Sequence, residues 1–277
     1  MTTIATTPPH VAGTAFLKFT HNGSDTVLAR CFATSPVKVF SAGRRRKACW
    51  VYAATLGGGL VGGDEIQMSV DVATGAHALL TTQASTKVYR SLRPAKQAIT
   101  ARVAAGGLLA VVPDPVVCFA AADFSQSQRY DLRGDASLAV VDWVTSGRHA
   151  TGERWAFSRY ESRVVVTRDE RPVFRDALVL ERDVVSIIER MGRFEVILTA
   201  VLTGPLVSDA ADGIVNRVAS MPVGRQQEMI VSASQLPAGG TLLRMAGVSV
   251  EQVGRTLRDF FSFLAPLLGD DLWSRKW

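Results

Sequence analysis

Asp64, Glu65, Asp142, His149 and Glu153 are the side chains of this sequence most suited to chemistry. The carboxylates are hard oxygen donors, and the imidazole of His149 suits a transition ion such as nickel better. Gathered by the fold, they could form a transient, low-affinity metal relay. Asp142, His149 and Glu153 could equally act as an acid–base cluster on a β scaffold. His149 and Glu153 stand four residues apart, but Thr151-Gly152 between them argues against one helix face presenting both. No paired cysteines or clustered histidines supply a closed metal site. Plain structural roles stand beside these: Asp64-Glu65 as a solvated turn, and Asp142 as a cap or the salt-bridge partner of Arg148 or Arg154.

Other chemistries lack their parts. Gly57-Gly58-Gly59-Leu60-Val61-Gly62-Gly63 satisfies G-x-G-x-x-G, yet Asp64-Glu65 and an alternating stretch from Ile66 to Val72 follow it. A dinucleotide fingerprint needs a helix there to receive the pyrophosphate, and an acidic residue about twenty positions later. Both are missing, so the glycines are expected to allow positive φ and close backbone packing before a strand. There is no Walker-type Gly-Lys-Ser/Thr and no G-x-S-x-G elbow, and His10, His21, His77 and His149 are scattered. Cys118, in Val116-Val117-Cys118-Phe119, has the apolar surroundings of a buried, inert thiol.

These residues must be positioned by a chain that reads as mostly β. Ile66, Met68, Val70 and Val72 alternate with Gln67, Ser69 and Asp71, and Val164-Val165-Val166 is a further β-branched run. A faint repeat accompanies the alternation. Gly75, Gly106 and Gly134 each precede an apolar run (Ala78 to Leu80, Leu109 to Val112, Leu138 to Val141) that closes on Gln83, Asp114 or Asp142. A period of about thirty residues fits stacked β layers, although a meander of hairpins gives similar spacing. Ser249-Val250-Glu251-Gln252 has capping-box spacing. Beyond it Val250, Val253, Leu257, Phe260, Phe261 and Leu264 make one apolar helical stripe, ended by Pro266. Such a stripe faces a core or docks a partner. The expectation is one mainly β domain over residues 1–277, of layered, β-helix-like stacked sheets with one or two α-helices in its C-terminal half, and residues 1–12 as a flexible tail.

Of the 277 residues 47% are hydrophobic and 20% charged, enough apolar content for a sizeable core. Cys31, Cys49 and Cys118 are widely spaced and suit a reducing compartment better than a disulfide framework. Met1 to Val11 lacks an apolar signal core, and the longest apolar run, Val116 to Ala122, is too short to span a bilayer. A soluble, cytoplasmic protein is expected. The net charge of +6 is unevenly laid down. No Asp or Glu occurs from Val72 to Pro113, where His77, Lys87, Arg90, Arg93, Lys96 and Arg102 fall, and Arg44-Arg45-Arg46-Lys47 lies just upstream. Such strips are solvated faces, or bind an acidic protein or nucleic acid. Without a zinc-finger, helix-turn-helix or RNA-binding pattern, nucleic acid is the weakest of these readings.

Three segments together resemble one family. The first is Gly58-Gly59-Leu60-Val61-Gly62-Gly63-Asp64, followed after a strand by Leu79-Leu80-Thr81-Thr82-Gln83-Ala84-Ser85-Thr86-Lys87-Val88-Tyr89-Arg90-Ser91. The second is Val112-Pro113-Asp114-Pro115-Val116-Val117-Cys118-Phe119. The third runs from Asp142-Trp143-Val144-Thr145-Ser146-Gly147-Arg148 through Gly152-Glu153-Arg154-Trp155-Ala156-Phe157 to Arg159-Tyr160-Glu161-Ser162-Arg163. In type, order and spacing, from about Gly13 to the C-terminal helix, they resemble urease accessory proteins of the UreD/UreH family.

The resemblance implies a mostly β, helically layered fold and a non-catalytic role as scaffold and conduit for nickel insertion into urease. It implies a UreF-like partner, a UreG-like GTPase and the urease apoprotein, in a hetero-oligomer that could be a dimer of heterodimers, with transient nickel and no tightly bound cofactor. Carried over by position, Asp64, Asp142 and Glu153, with His149, become candidates for a nickel relay. Glu65, Thr82, Gln83, Lys87, Tyr89, Arg90 and Arg148 become candidates for channel or pocket walls. The stripe Val250, Val253, Leu257, Phe260, Phe261 and Leu264 becomes the candidate partner surface. A conduit should use few, weak, mixed O/N ligands, because a tight closed site would trap the ion. The rival expectations are a basic interaction module built on Arg44 to Lys47 and the strip from Lys87 to Arg102, or a divergent relative serving another metalloenzyme.

Overall fold

A computed structural model describes residues 12–45, 47–90, 92–148, 151–182 and 185–274. His149, Arg46, Ser91 and nearly all of the expected N-terminal tail lie outside the described residues.

The chain lays down strands alternately in two sheets. Ala48–Thr55, His77–Thr82, Leu108–Val111 and Ser137–Thr145 are successive parallel neighbours in a ten-stranded sheet. Gly13–Asn22, Glu65–Val72, Ala95–Val103, Asp123–Leu132 and Arg159–Arg168 are successive parallel neighbours in a seven-stranded one. Each coil of chain therefore adds one strand to each sheet. That is the β-helix-like stacking the period predicted, and the parallel pairing excludes the hairpin meander. In the repeat itself, His77 stands opposite Leu108, and Leu108 opposite Ser137. Antiparallel strands close the ends: Asp25–Ala33 and Arg171–Glu181 on the seven-stranded sheet, Val37–Arg45 and the group Val196–Thr203, Thr241–Gly247 and Met229–Gln235 on the other.

The repeat's glycines occupy the tight turns that return the chain to the ten-stranded sheet. Gly75, Gly106 and Gly134 have φ of 68, 68 and 53°, a left-handed region that side chains disfavour. The Gly106 amide donates to Asp135 Oδ1 at 2.6 Å and the Gly134 amide to Asp169 Oδ1 at 3.2 Å, tying each turn to the next.

Alternation along Ser137–Thr145 divides its side chains between two cores. Leu138, Val140 and Val144 point between the sheets, while Ala139, Val141 and Trp143 point outward, under the helices. Four α-helices follow in the described C-terminal half: Ile187–Met191, Ser208–Ala219, Val250–Phe260 and Leu264–Leu268. Ser249 caps the third, its hydroxyl accepting from the Gln252 amide at 3.2 Å. The reciprocal half of the box is not made: Gln252 Oε1 is buried without a partner. Nor does Pro266 end this helix, which closes at Phe261; Pro266 lies inside the short helix that follows. Val253, Leu257, Phe260, Phe261 and Leu264 are buried in the outer core, with Val250 packed against it. This corrects the docking alternative for the stripe, whose apolar face already covers the chain's own sheet.

The acid-free stretch does not make one basic face either. In the ladder of the seven-stranded sheet, Lys96 stands beside Glu65 and Arg102 beside Asp71 and Asp131. His77 Nδ1 lies 3.2 Å from the Leu267 carbonyl oxygen. Among the described residues no helix is long and apolar enough to cross a membrane.

Candidate functional site

Connections between the sheets differ sharply at the two edges. Those leading back to the ten-stranded sheet are the tight turns at 73–76, 104–107 and 133–136. Those leading out of it, at 56–64, 83–94, 112–122 and 146–158, are long, and because the strands are parallel they stack along one edge. The three resembling segments fall in these long crossovers and the strand ends beside them.

The first crossover is the glycine-rich segment. Leu56–Gly58 is a single 3-10 turn and the strand Glu65–Val72 follows, so no helix receives a phosphate here. Gly57 and Gly58 take φ of 76 and 77°. Gly59 is extended, and its smallness answers a close approach. A Cβ at Gly59 would lie 2.6 Å from Tyr89 Cε2 and 2.7 Å from the Lys87 carbonyl oxygen. The Leu60 amide donates to that oxygen at 2.8 Å, and the Tyr89 amide donates to the Leu60 oxygen at 2.9 Å. Gly59→Ala should force these crossovers apart at a cost of about 1–3 kcal/mol. A thermal melt lowered by several degrees is the expected result; an unshifted melt would show that the contact gives way freely.

Beside this edge, between the sheets, lies a cavity of about 50 Å³. Its polar lining includes Thr82, Gln97, Asp114, Gln126, Gln128 and Asp142. It shares Ala53, Met68, Thr82, Thr86 and Gln97 as walls with an outer cleft of about 200 Å³, which also touches Gly58, Gln83 and Lys87. No Lys, Arg or His lines the inner cavity among the described residues.

Asp142 occupies an inward slot between Val140 and Val144, where strand alternation calls for an apolar residue. Gln126 Nε2 donates to its Oδ1 at 2.7 Å, the Tyr160 hydroxyl to the same oxygen at 3.4 Å, and the Ser162 hydroxyl to Oδ2. Next along the same inner row as Gln126, Gln128 accepts from the Tyr130 hydroxyl at 2.6 Å. Burial pushes the Asp142 carboxyl above the usual carboxylate range, against the opposing effect of its Ser162, Gln126 and Tyr160 hydrogen bonds. Burial, and then Asp142 itself, holds the Tyr130 and Tyr160 phenols well above their ordinary range. A buried carboxyl held by neutral donors, with no cation in its cavity, can retain a proton or receive a passing cation.

The other nominated residues are placed differently. Glu153 pairs with Arg148 and accepts from the Ala120 amide at 3.1 Å. Its carboxyl is held below the usual range, chiefly by the Arg148 hydrogen bond. Arg148 lies 4.3 Å from the Phe119 ring centroid, and Phe119 meets Tyr89 edge-on at 5.0 Å. Arg154 pairs with Glu195. The reading of Asp142 as a salt-bridge partner of Arg148 or Arg154 is thereby corrected: both arginines serve other acids. Asp64 closes its own turn, Oδ2 accepting from the Val61 amide at 2.8 Å. Glu65 accepts from Gln67 at 2.9 Å and lines a cleft with Lys96, Glu161 and Arg163. Thr82 holds Asp114 in the cavity wall, donating to Oδ2 at 3.0 Å and accepting from the Asp114 amide at 2.7 Å. Arg90 is exposed.

Of the nominated residues, the fold thus brings Asp142 and Thr82 to the cavity and Gln83 and Lys87 to the outer cleft. Asp64, Glu65, Arg148 and Glu153 do not line the cavity. Among the described residues no three His, Cys, Asp or Glu side chains gather to hold a metal. Sequence reading missed Asp114, Gln126, Gln128, Tyr130, Tyr160 and Ser162. One signal was available: on Asp123–Leu132 the inward row is Phe124, Gln126, Gln128, Tyr130 and Leu132, two amides in an otherwise buried aromatic and aliphatic series. Cys118 is buried and its thiol is pushed up by that burial, as its apolar surroundings predicted.

A family model described as UreD urease accessory protein matches residues 11–277. The chain is 48% identical over 266 residues to the urease accessory protein UreD of Sorangium cellulosum, covering 96% of this chain and 85% of that protein. It is 37% identical to urease accessory protein D of Oryza sativa subsp. indica, over 87% of this chain and 89% of that one. It is 34% identical to urease accessory protein D of Arabidopsis thaliana, over 89% and 95% respectively.

Proposed function

The chain belongs to the UreD family of urease accessory proteins and acts in urease maturation, and from that premise we propose that it is a non-catalytic conduit for nickel on its way to the apoenzyme. The observation that carries this reading is Asp142: one buried carboxylate, held by Gln126, Tyr160 and Ser162 in a cavity without a cationic side chain. For a cargo ion the donor set is apt. Two carboxylates, Asp142 and Asp114, beside amide and hydroxyl oxygens attract a divalent cation without a third acid, His or Cys to close around it. Nickel is then cargo, and the protein needs no resident cofactor.

The conduit works within a cytoplasmic hetero-oligomer, a dimer of heterodimers in our reading. A UreF-like protein and a UreG-like GTPase supply docking and nucleotide hydrolysis, and the urease apoprotein receives the metal. The decisive test blocks the passage without touching charge. Ala53 lines both the inner cavity and the outer cleft, so Ala53→Leu should plug the junction. Urease co-expressed with this variant and the full accessory set should hold several-fold less nickel, with complex assembly and melting temperature near wild type. Normal nickel content in a folded, assembled Ala53→Leu complex would mean that the metal does not pass this way.

A further inference from the structure

A second cavity, of about 440 Å³, opens at the tight-turn edge of the sheets, away from the long crossovers. It shares no lining residue with the inner cavity or the outer cleft. Three elements enclose it: the end of the strand Arg159–Arg168, the first turns of the helix Ser208–Ala219, and the turn 236–240 between the strands Met229–Gln235 and Thr241–Gly247. Backbones meet closely beneath it. A Cβ at Gly204 would lie 2.4 Å from the Ala136 oxygen, and one at Gly240 2.1 Å from the Leu202 oxygen. Among the described residues, Arg168 is the one cation of the lining and Asp212 the one acid. Arg168 is fixed by the chain itself. Its Nη1 donates to the Gly134 oxygen and, at 2.9 Å, to the Ala136 oxygen, while Nη2 donates to Thr203 Oγ1 at 3.4 Å. A guanidinium has further N–H groups to give. The acids whose charge it feels, Asp135 and Asp169, are spent on turns, accepting from the Gly106 and Gly134 amides. Asp212, on the helix, is exposed, and Gln235 Nε2 reaches only its Oδ1, at 3.4 Å.

We propose that this cavity binds a free α-amino acid, its carboxylate on Arg168, its ammonium group on Asp212 and its side chain against Leu236 and Ala238. Opposite charges on two separate elements select a zwitterion. Asp212 disfavours a plain anion there, and Arg168 a plain cation. The volume lies within the range of small-molecule sites, about 300–1,000 Å³. Because Arg168 is already held by Gly134, Ala136 and Thr203, its guanidinium needs little further ordering when a ligand arrives. This site is independent of the conduit reading and survives its failure.

The test is calorimetric titration of the full chain with L-leucine, and with L-glutamine so that both an apolar and a polar side chain are tried. Two trimmed analogues of leucine accompany them: isocaproate, which lacks the ammonium group, and isoamylamine, which lacks the carboxylate. At least one amino acid should bind with a dissociation constant of about a millimolar or tighter, and leucine should bind better than either analogue. Asp212→Asn, an exposed change that keeps the side chain's shape, should weaken leucine about fivefold and leave isocaproate no weaker than with wild type. Arg168→Gln should weaken leucine about tenfold or more and leave isoamylamine no weaker. Arg168 also holds backbone oxygens, so a fall in its variant's melting temperature leaves the decision with Asp212→Asn. No binding of either amino acid to wild type would overturn the proposal. So would wild type binding leucine and isocaproate equally, or an Asp212→Asn chain that keeps the full preference for leucine.

Discussion

Asp142→Asn is expected to lower nickel incorporation into co-expressed urease by about 10–100-fold, the range typical when a group around a metal path is altered, while the accessory complex still assembles. Asparagine keeps the shape of the site. Its carbonyl oxygen can accept from Gln126 Nε2, and its amide can donate to Ser162 Oγ in place of the bond that the hydroxyl now gives to Asp142. Only the charge is removed. The same substitution should act oppositely on stability. Because burial raises the folded-state pKa of Asp142, the folded protein binds more protons than the unfolded chain between the two pKa values. Wild-type stability therefore falls as pH rises from the ordinary carboxylate range through the raised value, and the loss persists above it. Asp142→Asn should match wild type at low pH and melt higher above that window. A residue with a merely structural role would not give more stability with less nickel. Full nickel loading by a folded Asp142→Asn protein would show that the buried charge takes no part in transfer.

The fold was legible because its signals are local and repeated. Gly75, Gly106 and Gly134 announce turns that only a left-handed residue closes easily, and the apolar runs after them are strands of equal rank. The placement of the acids was less legible. Asp64 follows two glycines and closes a turn with Val61, and Glu153 follows Gly152 and pairs with Arg148. Turn chemistry explains both from the near sequence. Asp142 has the opposite signature, a carboxylate at an inward parity between Val140 and Val144. Its partners could not be read, because Gln126, Tyr160 and Ser162 belong to the facing sheet and meet it only when the coils stack. Tertiary packing also sets the end of the third helix. The stripe runs on from Val253 to Leu264 because two helices, not one, cover the same sheet.

Phe261→Ala is expected to destabilise the isolated chain by about 3–5 kcal/mol, the cost of removing a large aromatic from a packed core. For a chain of this size that corresponds to a fall of roughly 6–20 °C in melting temperature. Phe261 is fully buried, among Leu257, Leu264 and Leu268 on the outer face of the ten-stranded sheet. The element it anchors is tied down on both sides: Trp50 Nε1 donates to the Leu268 carbonyl at 3.1 Å, and Arg217 stacks over Phe260 at 4.7 Å while pairing with Asp259. Truncating Phe261 leaves a cavity that these fixed neighbours cannot fill. Were the stripe a docking face, alanine would spare the melting temperature and lower only the affinity for a partner.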